Sequence, residues 1–182
     1  MKKYFLLFIV LIINGCSSEK EDFVELQNEL SLIENTIEQS YDYEFRISSS
    51  DVALEKIEKF LKSHNGSEYN KLGAGLKTIW EEKNQKYLKE KVEIESLFFK
   101  KLGNMLRKEA FRIHPASKIE AITEETITTK KDNLKLHSIG KYSVRMKGAF
   151  LGIHVFKIEI KYEAEMDIVN KSFNVISLES LE

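Results

Sequence analysis

The sequence predicts an α+β fold, with N-terminal helices packed on one face of a C-terminal antiparallel β-meander of about four strands. Two observations predict it. Up to His114-Pro115 the apolar residues recur every three or four positions, and after it they alternate every second position. In Phe156–Asp167 every odd-numbered residue is charged and every even-numbered one is apolar, the pattern of a sheet with one wet and one buried face. The change falls at Pro115, the one proline in the chain, which disfavours helix in the residue before it.

Phe23, Leu26, Leu30, Ile33 and Ile37 step by three and four, predicting a first helix with one apolar seam. Two heptads are too few for a coiled coil, so the seam is expected to pack within the domain. Residues 16–22 before it read as a polar tether. Tyr41-Asp42-Tyr43-Glu44-Phe45-Arg46-Ile47 alternates strictly and predicts a short strand. Ser48, Ser49, Ser50 and Asp51 supply N-cap candidates for a helix from Asp51 to His64 with Leu54, Ile57 and Leu61 inward, ended by Asn65-Gly66. Ser67 caps the next helical stretch, which runs through Leu72, Leu76, Ile79 and Trp80 to about Lys108. Gly73 and Gly75 leave open whether it is one helix or two. Its middle, Glu81–Glu95, is mostly charge and is expected to face water, with Lys91–Glu95 among its i,i+4 pairs.

Ile119–Thr129 predicts the first long strand, Lys130-Lys131-Asp132-Asn133 a turn, and Leu134–Lys147 the second strand. Pairing centred on residue 150 sets Tyr142 opposite Ile158, Val144 opposite Phe156 and Lys141 opposite Glu159, and a shift of two residues keeps the same faces. Asn170-Lys171 turns the chain into a last strand, Phe173–Leu178. The predicted organisation is thus 1–15 as a targeting segment, 16–22 as tether and 23–182 as one α+β domain, with 23–110 mainly helical and 117–180 sheet.

Composition narrows the function classes. Without residues 1–15 the chain carries 26 basic and 29 acidic residues, a formal balance of −3 that offers no surplus for a phosphate backbone, so nucleic acid is not an expected partner. Only four of the 28 basic residues are arginine, the residue suited to bidentate anion clamps. The sequence contains no nucleophile elbow, no paired-histidine zinc motif, no phosphate-cradling glycine loop and no cysteine pair. His64, His114, His137 and His154 are far apart, and no metal site or cofactor is expected from them. Glu163, Glu165 and Asp167 share one strand face, which reads as a solvated face, because paired carboxylate catalysis needs one group shielded. The expectation is a non-enzymatic protein.

Two stretches carry a positive signal. Lys2-Lys3 precedes ten uncharged residues, Tyr4–Ile13, and then Asn14-Gly15-Cys16. A basic start, a short apolar run and a small residue form a signal-peptide pattern, and the run is shorter than the roughly 20 residues a membrane span needs. Cys16 is the single cysteine and has no partner for a disulfide. Ile13-Asn14-Gly15-Cys16 resembles a bacterial lipobox, although Asn14 stands where that motif usually has a small or hydroxyl residue. The resemblance covers residues 1–16 alone. It implies cleavage before Cys16, lipidation of its thiol and a membrane partner reached through the lipid. Ser17, rather than aspartate, in the next position implies sorting to the outer membrane of a two-membrane cell. The second stretch is Gly148-Ala149-Phe150-Leu151-Gly152, where Phe150 and Leu151 stand between glycines at a hairpin tip and are the candidate partner contact. Together these predict a lipid-anchored envelope lipoprotein that binds another envelope protein, of assembly or inhibitor type. The alternative is a carrier of a small apolar ligand in a pocket between sheet and helices.

Overall fold

The computed structural model describes residues 17–115, 117–132, 134–148 and 155–181. Three helices precede four strands: α1 (Ser17–Glu38), α2 (Tyr43–Ser63), α3 (Glu68–Ile113), β1 (Ser117–Asp132), β2 (Lys135–Gly148), β3 (Val155–Asp167) and β4 (Phe173–Leu181). The strands form one antiparallel sheet in the order β1-β2-β3-β4. The α+β class and the C-terminal meander are therefore those the periodicities predict. No described helix is long and apolar enough to cross a membrane.

The chain divides into two compact units. The first takes residues up to Ser40 together with Phe45–Lys86. Its α1 seam buries Phe23, Leu26, Leu30 and Ile37. Phe23 meets the rings of Phe60 and Tyr69, each at 5.6 Å between centroids. α1 begins at Ser17, so the residues expected as a tether are helical from the first one described. His64 ties the start of α1 to the end of α2: its Nε2 lies 3.1 Å from Asp22 Oδ2 and its Nδ1 3.0 Å from the Phe60 carbonyl oxygen. After α2, Gly66 takes φ +86°, the left-handed conformation expected for a helix-ending glycine. Ser67 caps α3 as predicted, its hydroxyl accepting from the Asn70 amide at 3.1 Å.

The expected strand over Tyr41–Ile47 is corrected: Tyr41 and Asp42 precede helix α2, and Tyr43–Ile47 are its start. Asp42 caps it, its Oδ1 accepting the Glu44 amide at 2.9 Å. Seven alternating residues also fit a helix when one position in three or four is buried: Tyr43 and Ser50 are inside while Tyr41 and Phe45 lie outside. The serines expected to cap a later start are helix-internal instead. Ser48 and Ser50 donate to the carbonyls of Phe45 and Ile47, three residues back.

α3 is one helix of 46 residues, five longer at its end than predicted. Gly73 and Gly75 do not break it, and their surroundings differ. A Cβ on Gly73 would lie 3.0 Å from Leu61 Cδ2 and 3.1 Å from Phe60 Cδ1, whereas one on Gly75 would meet nothing within 4 Å. Gly75→Ala is expected to raise the unfolding free energy by about 0.5–1 kcal/mol, because alanine gives up less backbone entropy in a helix. Gly73→Ala is expected to give no such gain. Urea midpoints of the two variants check this, and equal gains would show that α2 yields freely at Gly73.

The second unit takes Tyr41–Glu44 and everything from Tyr87 onward. Phe98, Leu102, Leu106 and Ala110, spaced by four along α3, are all buried. The Phe98 ring lies 5.8 Å from that of Phe173 in β4. The sheet's inner face carries Leu136, Tyr142, Val144 and Met146 of β2 and Ile158, Ile160, Tyr162, Ala164 and Met166 of β3, all buried, as the alternation predicts. β1 extends to Asp132 and pairs with Lys135, so the predicted four-residue turn is shorter. The β3–β4 turn is held by Asp167 Oδ1, which accepts the amides of Val169 and Asn170, and it places Lys171 at φ 56°.

The predicted β2–β3 register is corrected by two residues. Tyr142 pairs with Ile160, Val144 with Ile158 and Lys141 with Lys161. The inner and outer faces are unchanged, because side chains alternate with a period of two.

Candidate partner interface

The outer face of the sheet is where the second unit presents charge. Along β2 this face carries Lys135, His137, Ile139, Lys141, Ser143, Arg145 and Lys147, and along β3 Lys157, Glu159, Lys161, Glu163, Glu165 and Asp167. The twist of the pair brings diagonal neighbours into contact. Lys135 reaches Glu165 at 3.1 Å, His137 Nε2 reaches Glu163 Oε1 at 2.8 Å, and Lys141 reaches Glu159 at 2.5 Å. The side-chain contact expected of Lys141 and Glu159 thus forms, but diagonally and not as a direct pair.

These contacts account for the acidic trio. Glu163 bonds to His137 and Glu165 to Lys135, both of β2, and Asp167 caps a turn. Among the described residues no group of three or more histidines, cysteines or carboxylates is placed to hold a metal ion. Tyr43, buried and donating from its hydroxyl to Glu95 at 3.4 Å, has its phenol pushed well above the usual range by burial first and by the Glu95 charge second.

Among the described residues Glu159 is the carboxylate held farthest below its ordinary value. Hydrogen bonds from Lys141 and then Lys157, whose Nζ lies 2.6 Å from Oε1, hold its carboxyl down to about 2. A depressed acid contributes stability that is fully present above its unfolded value and is lost as pH falls through its folded one. Glu159→Gln is therefore expected to lower the urea midpoint at pH 6, with the difference from the parent closing as pH falls from about 4.5 toward 2. A difference that persists undiminished at pH 2 would assign the effect to shape and not to charge.

One feature of this unit is apolar and open. β4 is an edge strand with one charge, Glu179, in nine residues. It exposes Ile176 at 48% and Leu178 at 36%. β1, the other edge, carries seven charged residues in sixteen. The sequence flagged neither Ile176 nor Leu178, because Phe173–Leu178 reads as one apolar strand without the bulge. Pairing passes from Ala164–Val175 to Glu163–Ser177, so Ile176 is the extra residue. The predicted site residues Cys16, Phe150 and Leu151, and His154, lie outside the described residues.

No family model, no curated protein and no solved structure matches this chain.

Proposed function

We propose that this protein is a lipoprotein of the bacterial cell envelope, anchored through Cys16 and sorted to the outer membrane, whose sheet-bearing unit binds another envelope protein without catalysing a reaction. The observation that carries the binding reading is β4. Natural sheets blunt an open edge with lysine, proline or inward charge. β4 has no lysine or proline, and it exposes two aliphatic side chains along its length. An edge of this kind accepts a further strand from a partner, with backbone hydrogen bonds giving affinity and the side chains giving choice. The lipobox-like Ile13-Asn14-Gly15-Cys16 supports the location, and Phe150-Leu151 supplies a second apolar contact. Assembly of envelope machinery and inhibition of a toxin or hydrolase both need such a module.

Crosslinking in living cells tests it. The wild type is expected to capture one stoichiometric protein partner. Ile176→Lys with Leu178→Lys, and separately Phe150→Ser with Leu151→Ser, are expected to weaken that capture while circular dichroism and melting stay unchanged. Capture that survives both pairs of changes would refute the reading.

A further inference from the structure

Asparagine followed by glycine occurs twice in the sequence, at Asn14-Gly15 and Asn65-Gly66. Asn14 lies outside the described residues, whereas Asn65 and Gly66 are exposed in the turn between α2 and α3. The backbone nitrogen of the residue after an asparagine can attack the side-chain amide carbon. A folded chain restrains that reaction in three ways: a hydrogen bond on the attacking N–H, a hydrogen bond on the side-chain amide, and a Cβ that crowds the attacking residue. Among the described residues none hydrogen-bonds the Gly66 amide or the Asn65 side chain. The backbone bonds of the turn pass them by: the His64 amide donates to the Phe60 carbonyl oxygen at 3.1 Å, and the Ser67 amide to the His64 carbonyl oxygen at 3.2 Å. Gly66, at φ +86°, carries no Cβ, and one built there would meet nothing within 4 Å, so the approach is open.

The other described asparagines are restrained. Asn28 and Asn35 of α1 and Asn84 and Asn104 of α3 lie inside helices, where the amide that follows belongs to the i→i−4 ladder. Asn70 Nδ2 donates to the Leu61 carbonyl oxygen at 2.9 Å, and Asn170 Oδ1 accepts the Ser172 amide at 2.8 Å. Asn174 of β4 precedes the β-branched Val175. Asn65 is thus the described asparagine on which none of the three restraints acts.

We propose that Asn65 is a site of spontaneous covalent modification in the folded protein. The Gly66 nitrogen attacks Asn65 Cγ, the Cγ–Nδ2 bond breaks, and ammonia leaves with the amide proton of Gly66. The cyclic imide so formed takes up one water. Opening at Cγ gives aspartate, and opening at the main-chain carbonyl of Asn65 gives isoaspartate, whose main chain runs through the former side chain. Nothing is oxidised or reduced, and water is the one co-reactant. Base removes the amide proton and speeds the attack, so the rate rises with pH. Either product adds a carboxylate to the open hollow that Asn65 lines together with Glu58, Lys62 and Lys77. Isoaspartate also lengthens the main chain by one methylene between His64 and Ser67, the two residues that the turn's hydrogen bond joins. His64 is the residue that ties α2 to Asp22 of α1, so the change falls where two helix ends are held. The reaction runs one way, and the converted fraction records the age of the folded chain.

The test incubates the full chain, freshly purified from cells, at pH 6 and at pH 8, folded and separately unfolded in urea. Peptide mass spectrometry follows each asparagine, and electron-transfer fragmentation separates aspartate from isoaspartate. Support is conversion at Asn65 in the folded protein, faster at pH 8 than at pH 6, with Asn70 and Asn170 still amides. Gly66→Ala should slow it on the order of tenfold, because the added Cβ crowds the attacking nitrogen. Alanine is strained at a positive φ, so melting is followed in parallel, and Gly66→Asp, whose side chain tolerates the left-handed region, replaces it if alanine unfolds the turn. Conversion only in the urea-unfolded chain would overturn the proposal, since the fold would then protect the turn. Equal conversion at Asn70 and Asn170, or a rate indifferent to the residue at position 66, would overturn it as well.

Discussion

Replacing Phe98 with alanine is expected to lower the unfolding free energy by about 3–5 kcal/mol, the range for deleting a fully buried aromatic ring. Phe98 is 0% exposed, and its ring meets Phe99 at 5.3 Å and Phe173 at 5.8 Å. It also heads the stripe Leu102, Leu106, Ala110, so the cavity would open where α3 and β4 share one core. The comparison is Phe99→Ala. Phe99 is one residue away and 41% exposed, and its loss is expected to cost no more than about 1 kcal/mol. Urea unfolding followed by far-ultraviolet circular dichroism measures both. Similar costs for the two would mean that the stripe is not what fixes α3 in this unit. For a chain of this size the larger loss corresponds to a fall in Tm of roughly 6–20 °C.

The sequence made the helices and the meander legible because burial leaves a period in them. The α1 seam was read residue by residue, and four of its five members are buried, with Ile33 partly so. The β3 alternation was read over twelve residues, long enough to exclude a helical period. Tyr41–Ile47 was not legible for the opposite reason. Over seven residues, periods of two and of 3.6 share too many positions, and the deciding group was the capping carboxylate of Asp42.

Register hid most of the candidate interface. A two-residue slip leaves every face assignment intact, so no pattern in β2 or β3 alone distinguishes the two pairings. Yet that slip decides whether Arg145 stands opposite Lys157 or Val155, and so which side chains share a rung on the outer face. The edge strand was hidden by the bulge at Ile176, which shifts the parity of the residues after it and sets Leu178 opposite Tyr162. Cys16 and Phe150-Leu151, in contrast, are readings of composition alone and lie outside the described residues.

Cys16→Ser is expected to abolish lipid attachment completely. Serine has a hydroxyl where the thiol stands, and no other cysteine in the chain could take the lipid. The energetic consequence is large, because each buried CH₂ of an acyl chain contributes about 0.8 kcal/mol, and two chains convert marginal into stable membrane binding. Cells fed an alkyne fatty acid should label the wild type and leave Cys16→Ser unlabelled. The wild type should partition into detergent, and its N-terminal peptide should carry the added lipid mass. Label retained by the variant would place the acyl group elsewhere and sink the lipobox reading. The start of α1 at Ser17 sharpens the expectation. If Cys16 carries the lipid as proposed, the helix described from Ser17 follows it directly, and the carboxylates Glu19, Glu21 and Asp22 would stand at the headgroup layer. Inserting eight glycine and serine residues after Cys16 should leave labelling intact while freeing the folded chain to reach farther from the membrane. Partner capture lost in both Cys16→Ser and the spacer variant would show that the partner requires the folded chain close to the membrane, whereas capture lost in Cys16→Ser alone would show that attachment suffices without close placement.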